Sequence, residues 1–193
     1  MSISQKAQSL LGHLLRPVHS SEQKLASHKT PAAATISVSS PAFGESAAIP
    51  KQYTQDGANM SPPLRWSGVP TEARELVLVV EDPDAPMPNP VVHWILIGIP
   101  PTTSALPENL PMGPGMVDPA GAQHGRNYNG EQSYTGPKPP IGHGVHHYHF
   151  QIFALDKKLS VGPAPEKNDL VKAMQGHVIA QGELIGTYER VAE

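Results

Sequence analysis

The chain contains no cysteine. That excludes a disulfide framework, a thiolate nucleophile and any zinc site built on sulfur. It also has no apolar run of the ~20 residues needed to cross a bilayer. No excess of positive charge is present, since 14 Lys and Arg stand against 17 Asp and Glu. A net charge of −3 gives no electrostatic case for nucleic acid or an anionic membrane. Three catalytic signatures are missing as well: no GxSxG nucleophile elbow, no GxxxxGK[ST] phosphate loop and no HExxH pair occurs. The expectation is a cytoplasmic protein of one domain, because 193 residues can bury one sizeable core but hardly two.

Proline is what the chain has in excess, 22 residues against an average usage of ~5%. Most lie between residues 83 and 140, and proline interrupts helices, so strands and loops are predicted there. The longest Gly/Pro loop, Gly136-Pro137-Lys138-Pro139-Pro140-Ile141-Gly142-His143-Gly144, runs directly into a strand that begins with histidines. Alternation sets His146, Tyr148, Phe150 and Ile152 on one face of that strand, with His147, His149, Gln151 and Phe153 on the other. An imidazole and a phenol therefore stand at the mouth of an apolar face.

Residues 1–35 read as a helical extension and linker, set apart from a domain over residues 36–190. Leu10, Leu11, Leu14 and Leu15 form an apolar stripe at helical spacing, ended by Pro17. The stripe suits docking or homodimer formation. The leucine-rich core of about six residues falls short of the ~7–15 of a signal peptide. Pro31 to Ala34 reads as the linker. Further on, Ile36 and Val38 open the β domain, Phe43 to Ile49 and Leu64 to Val69 suit short strands, and Glu75 to Glu81 is apolar on both faces. Parity points Asp82, at the end of that strand, toward a core. Val91 to Ile99 is the next strand, with Val91, His93, Ile95 and Ile97 on one side and Val92, Trp94 and Leu96 opposite. Residues 100–135 read as a long connection, Asn168 as the cap of a short helix, and residues 177–190 as a turn and a closing strand.

Asp82, His93, His146 and Tyr148 each sit at a strand end beside a rigid loop. Asp82 next to a histidine would raise the pKa of that histidine and fix its tautomer. With the backbone N–H groups of Ile141, Gly142, His143 and Gly144, these side chains make a donor-rich cup for a phosphate or carboxylate. The bland reading is a set of satisfied core polar residues. A metal site competes, since His143, His146, His147 and His149 lie within seven residues. Strand parity splits them, and neither a metal nor a cofactor is expected. Hydrolysis of a phosphoester, with His93 or His146 as the acid–base, is the alternative to binding without catalysis.

Asp82 to Pro86 (DPDAP), His93-Trp94, Tyr134 to Pro140 (YTGPKPP) and Gly142 to Tyr148 (GHGVHHY) together resemble the phosphatidylethanolamine-binding, or Raf kinase inhibitor, protein family, closest to its bacterial and archaeal branch. SPPLRW at 61–66, FALD at 153–156 and GHVIAQGELIGTY at 176–188 support the likeness, which spans about residues 36–190. The resemblance implies a mostly β fold, a sandwich of two antiparallel sheets with a few short helices. It implies a ligand pocket of Asp82, His93, Pro140, His146 and Tyr148, with Lys138 and Gly142 in the loop beside it. It implies a small phosphoryl- or carboxylate-bearing ligand and, for some family members, regulation of a kinase or protease. Two positions depart from the pattern. Lys138 replaces a small residue before the Pro-Pro pair, and His147 replaces an arginine.

Overall fold

The computed structural model describes residues 3–32, 34–117 and 121–192. Three helices are α1 (Ile3–Leu15), α2 (Ala26–Lys29) and α3 (Lys167–Met174). Eleven strands are described: β1 (Ala34–Thr35), β2 (Ser37–Ser39), β3 (Ala47–Ala48), β4 (Leu64–Ser67), β5 (Glu75–Asp82), β6 (Val91–Ile99), β7 (Ala105–Leu106), β8 (Met116–Val117), β9 (Ala122–His124), β10 (His146–Leu155) and β11 (Val178–Tyr188).

The larger sheet has the order β1-β11-β10-β5-β6-β9-β8, with β3 also on β11, and the smaller has the order β2-β4-β7. β5 and β10 lie at its centre for a compositional reason. Every residue of Glu75–Asp82 is buried, and Leu and β-branched Val fill both faces. Leu76, Leu78 and Val80 join Tyr148, Phe150 and Ile152 against Leu64, Trp66 and Leu106 of the small sheet. Val77, Val79, Phe153 and Leu155 pack on the other face against Leu170, Val171 and Met174 of α3 and Ala26 of α2. The large sheet is thus covered twice, once by strands and once by helices.

A buried carboxylate locks the helical side. Glu81, wholly buried, accepts from the N–H of Ala26 at 2.8 Å and from Gln151 Nε2 at 2.9 Å, and it pairs with Lys167. One side chain thereby ties α2, β10 and α3 to β5.

Several details differ from the sequence reading. Pairing is antiparallel except at β11, where β1 and β3 run parallel to it. Thr35, expected beside the linker, is in β1; Ala33 of that linker lies outside the described residues. Residues 100–135 contain three short strands, because Gly98 and Gly121 turn with positive φ and let β9 return onto β6. Asn168 lies inside α3, whose first turn follows Glu166. The expected turn is present and ends at His177, and β11 then runs for 11 residues along β10, with one register shift at Ala154/Leu155. On α1, Leu10, Leu11 and Leu14 face outward. The C-terminal end of α1 makes the contact with the chain instead, through Gly12, the Leu15 carbonyl and, just past the helix, Arg16 Nε, which donates to the Gly142 carbonyl at 2.9 Å. Among the described residues no helix is long and apolar enough to cross a membrane.

Candidate functional site

Asp82 ends β5 with both carboxylate oxygens in use. Oδ1 accepts from the N–H groups of Asp84 (2.8 Å) and Ala85 (3.1 Å), which closes the DPDAP turn in the manner of an Asx-turn. Oδ2 lies 2.8 Å from His146 Nδ1, both side chains being buried. Parity along β5 correctly pointed Asp82 inward, and the histidine it meets is His146.

His93 reaches the same place through a register defect. Val80 pairs with Trp94 and Glu81 with Val92, so His93 is the extra residue of a β-bulge. The bulge breaks strict alternation: Ile95 and Ile97 go to the helical side of the sheet, while His93 turns toward Tyr148. Sequence parity had put these three residues on one face. His93 Nδ1 lies 2.6 Å from the Thr135 carbonyl, and the ring sits edge-on to Tyr148 at 5.1 Å and Tyr128 at 5.5 Å between centroids. Burial pushes the His93 pKa down, and the nearby Asp82 carboxylate only partly offsets it. At His93 desolvation outweighs the carboxylate. A neutral ring donating from Nδ1 to Thr135 presents Nε2 as an acceptor; protonation turns it into a donor.

Among the described residues, Tyr148 supplies the one buried phenol without a partner. It is 1% exposed, and its hydroxyl has no hydrogen bond. Burial, then the charge of Asp82, pushes its pKa well up, so the hydroxyl stays a neutral donor. A buried polar group left unpaired costs about 1–3 kcal/mol, and such a cost calls for an explanation.

Asp82, His93, Lys138, Pro140, His146 and Tyr148 line one cavity of about 170 Å³. This is below the ~300–1,000 Å³ of a site for drug-sized ligands and suits a small polar group. Lys138 is solvent-exposed at the rim. Gly142, the seventh residue expected at the site, does not line the cavity. Its N–H donates to the Arg190 carbonyl at 2.9 Å, and a side-chain carbon placed on it would sit 2.7 Å from His13 Nδ1 of α1. The N–H of His143 is likewise spent, on the Pro140 carbonyl at 3.1 Å. Two of the four backbone donors expected from this loop are thus consumed in shaping it. Sequence reasoning missed Tyr128, which lines the cavity from the long connection; an aromatic residue shortly before YTGPKPP was the only signal.

Of the clustered histidines, His143 and His146 stay together, 2.7 Å apart, while His147 and His149 turn to other partners. His147 is exposed and its Nδ1 lies 2.8 Å from Asp84 Oδ2, so the position of the missing arginine still faces a carboxylate. His149 is buried with Nδ1 3.1 Å from Glu183. Among the described residues no three His, Asp or Glu side chains gather in a geometry that could hold a metal. A larger groove of about 680 Å³, between α2, residues 126–130 and the start of α3, carries Lys24, Lys29, Arg126 and Lys167. Lys24 and Arg126 donate there to backbone carbonyls, and among the described residues no orphaned buried donor lines it.

A family profile described as Phosphatidylethanolamine-binding protein matches residues 39–189. A UPF0098 protein of Pyrococcus horikoshii is 47% identical over 148 residues, covering 77% of this chain and 74% of that protein. Among solved structures, a phosphatidylethanolamine-binding protein homologue from Chlamydia trachomatis is 40% identical with a TM-score of 0.72, covering 82% of this chain and 99% of that one. YbcL of Escherichia coli is 30% identical with a TM-score of 0.73, covering 81% and 99%.

Proposed function

The chain belongs to the phosphatidylethanolamine-binding protein family, and on that premise we propose that it binds a small phosphoryl or carboxylate group in the cavity between Asp82, His93 and Tyr148, without turning it over. The observation that carries this reading is the orphaned Tyr148 hydroxyl. It is a preorganised donor, kept protonated by burial, on the wall of a space sized for a head group. His93 Nε2 becomes a second donor once protonated, and Lys138 brings a cation to the rim. Charge-assisted hydrogen bonds contribute about 1.5–3 kcal/mol each. Two or three of them support modest affinity for a free anion and more for a ligand that also covers the rim.

Hydrolysis with His146 as the acid–base finds less support in this geometry. His146 has Nδ1 on Asp82 and Nε2 2.7 Å from His143 Nδ1, so neither nitrogen is free to take a proton from water. Regulation of a kinase or protease belongs to the same proposal, through a phosphorylated or acidic segment that competes for the cavity.

Titration with phosphate and with phosphoethanolamine tests the reading. The ring resonances of His93 and Tyr148 are expected to shift together and saturably. Unchanged rings at millimolar ligand would overturn it.

A further inference from the structure

Three short contacts run in line from the cavity wall to the N-terminal helix. His146 Nδ1 is 2.8 Å from Asp82 Oδ2, His146 Nε2 is 2.7 Å from His143 Nδ1, and His143 Nε2 is 2.9 Å from the Leu15 carbonyl oxygen. All three side chains are buried. The hydrogens in this line can be counted. A carbonyl oxygen only accepts, and so does an ionised carboxylate. Three bonds between two terminal acceptors need three hydrogens on four ring nitrogens, whereas two neutral imidazoles carry two. The line closes only if the histidine pair holds one extra proton against the Asp82 carboxylate, or if Asp82 carries that proton itself. In either arrangement the Asp82–His146–His143 unit is neutral as a whole, not −1.

Leu15 is what imposes this count. Without its carbonyl, His143 Nε2 would meet water, which donates as readily as it accepts, and the unit could drop to −1. A negative unit on the cavity wall would repel an anion. The contact is built, not incidental. Gly12 packs so closely on the 141–143 loop that a side-chain carbon there would lie 2.0 Å from the Ile141 carbonyl oxygen. Arg16 Nε ties the same end of the helix to the Gly142 carbonyl. The other charged or titratable groups facing the unit are His93 and Tyr148 in the cavity, Lys138 at its rim, Asp84 in the turn, Arg190 on the Pro139 carbonyl, and His13 and Arg16 from α1.

We propose that α1 acts on the pocket from behind its wall: through the Leu15 carbonyl, His143 acts as a positioning residue that keeps the Asp82–His146–His143 unit neutral and so sets the affinity for anions. This rests on the anion-binding reading of the cavity for its second half only.

Gly12→Ala in the full chain is the direct test, because alanine strengthens the helix while its methyl group blocks docking. The ¹⁵N ring signals of His143 and His146 near neutral pH should show three ring hydrogens on the pair, or two with a protonated Asp82, in the native chain. In Gly12→Ala the pattern should lose one hydrogen, and phosphate should bind several-fold more weakly. Arg16→Gln, which removes the second tether without adding bulk, should move both readouts the same way. A native pair with two hydrogens beside an ionised Asp82 overturns the proposal, as do variants whose ring signals match the native chain. If the ring signals change in the variants but no form binds phosphate, the link between helix and unit stands and the anion-binding reading falls.

Discussion

At the scale of single residues, the site is defined by what is left unsatisfied. Tyr148→Phe removes an orphaned hydroxyl and nothing else. The ligand-free protein is expected to keep its melting temperature or gain slightly, since the unpaired group costs about 1–3 kcal/mol. Phosphate affinity should fall about tenfold or more, the loss of one hydrogen bond to a charged group. A variant that loses stability with unchanged binding would mean that the hydroxyl serves the core. His93 gives the pH signature. Its pKa is held down by burial, so lowering the pH through and below the usual histidine range converts Nε2 from acceptor to donor. Sulfate, whose charge is constant over that range, should bind more tightly in acid, and His93→Gln should flatten the response in isothermal titration. Asp82, His146 and Tyr148 were legible because alternation along uninterrupted strands fixes a side chain's direction. The sign of the His93 shift was not, because a sequence shows a neighbouring carboxylate more readily than the burial that outweighs it.

At the scale of elements, strand existence was legible and strand irregularity was not. β5 announces itself through a continuous run of Leu and Val, and β10 through Tyr148, Phe150 and Ile152 at period two. The bulge at His93 left no mark in the sequence, since it arises from the register of β6 against β5. The same limit hid the short strands within residues 100–135, which are held by tertiary pairing and not by local propensity. On the helical side, the Glu81 knot predicts a large effect from a remote surface change. Lys167→Met keeps the aliphatic stem but strands a buried carboxylate, and it should cost about 3–5 kcal/mol in urea unfolding. A loss below about 1 kcal/mol would show that Ala26 and Gln151 satisfy Glu81 unaided. Gly136→Ala tests the other side of the site. The added carbon would lie 2.3 Å from the Tyr53 carbonyl, and overpacking of this kind costs about 1–3 kcal/mol, here at the base of the loop that carries Lys138 and Pro140. A lowered melting temperature together with weakened phosphate binding is expected.

At the scale of the whole molecule, buried histidines set the response to acid. His93 and His124 both have pKa values lowered by burial, and Trp94 Nε1 donates to His124 Nδ1 at 3.0 Å, a bond that requires that nitrogen to be unprotonated. The unfolded chain takes up protons near pH ~6.5 that the folded one refuses. Stability is therefore present above that value and is lost as pH falls below it, by up to ~1.4 kcal/mol per pH unit for each group. His149 works in the opposite sense. Burial pulls its pKa down, yet the hydrogen bond and charge of Glu183 outweigh this and leave it raised, so its contribution fades as pH rises through the folded value. Melting temperatures between about pH 5 and pH 8 should trace a maximum near neutrality, and His124→Gln should lessen the acid limb.

β11 follows every other described strand in the chain, and two early segments, β1 and β3, wait for it. β11 pairs with β10 along its length and receives β1 and β3 on its other edge. During synthesis, which proceeds from the N-terminus at ~5–20 residues per second, β1 and β3 emerge long before β11, their large-sheet neighbour, exists. A nascent chain short of residue 178 would present the bare edge of β10, a template for pairing with any other unfinished chain. Completion of the sheet thus waits for residues 178–188, and a chain truncated before residue 178 should yield aggregate and no folded protein.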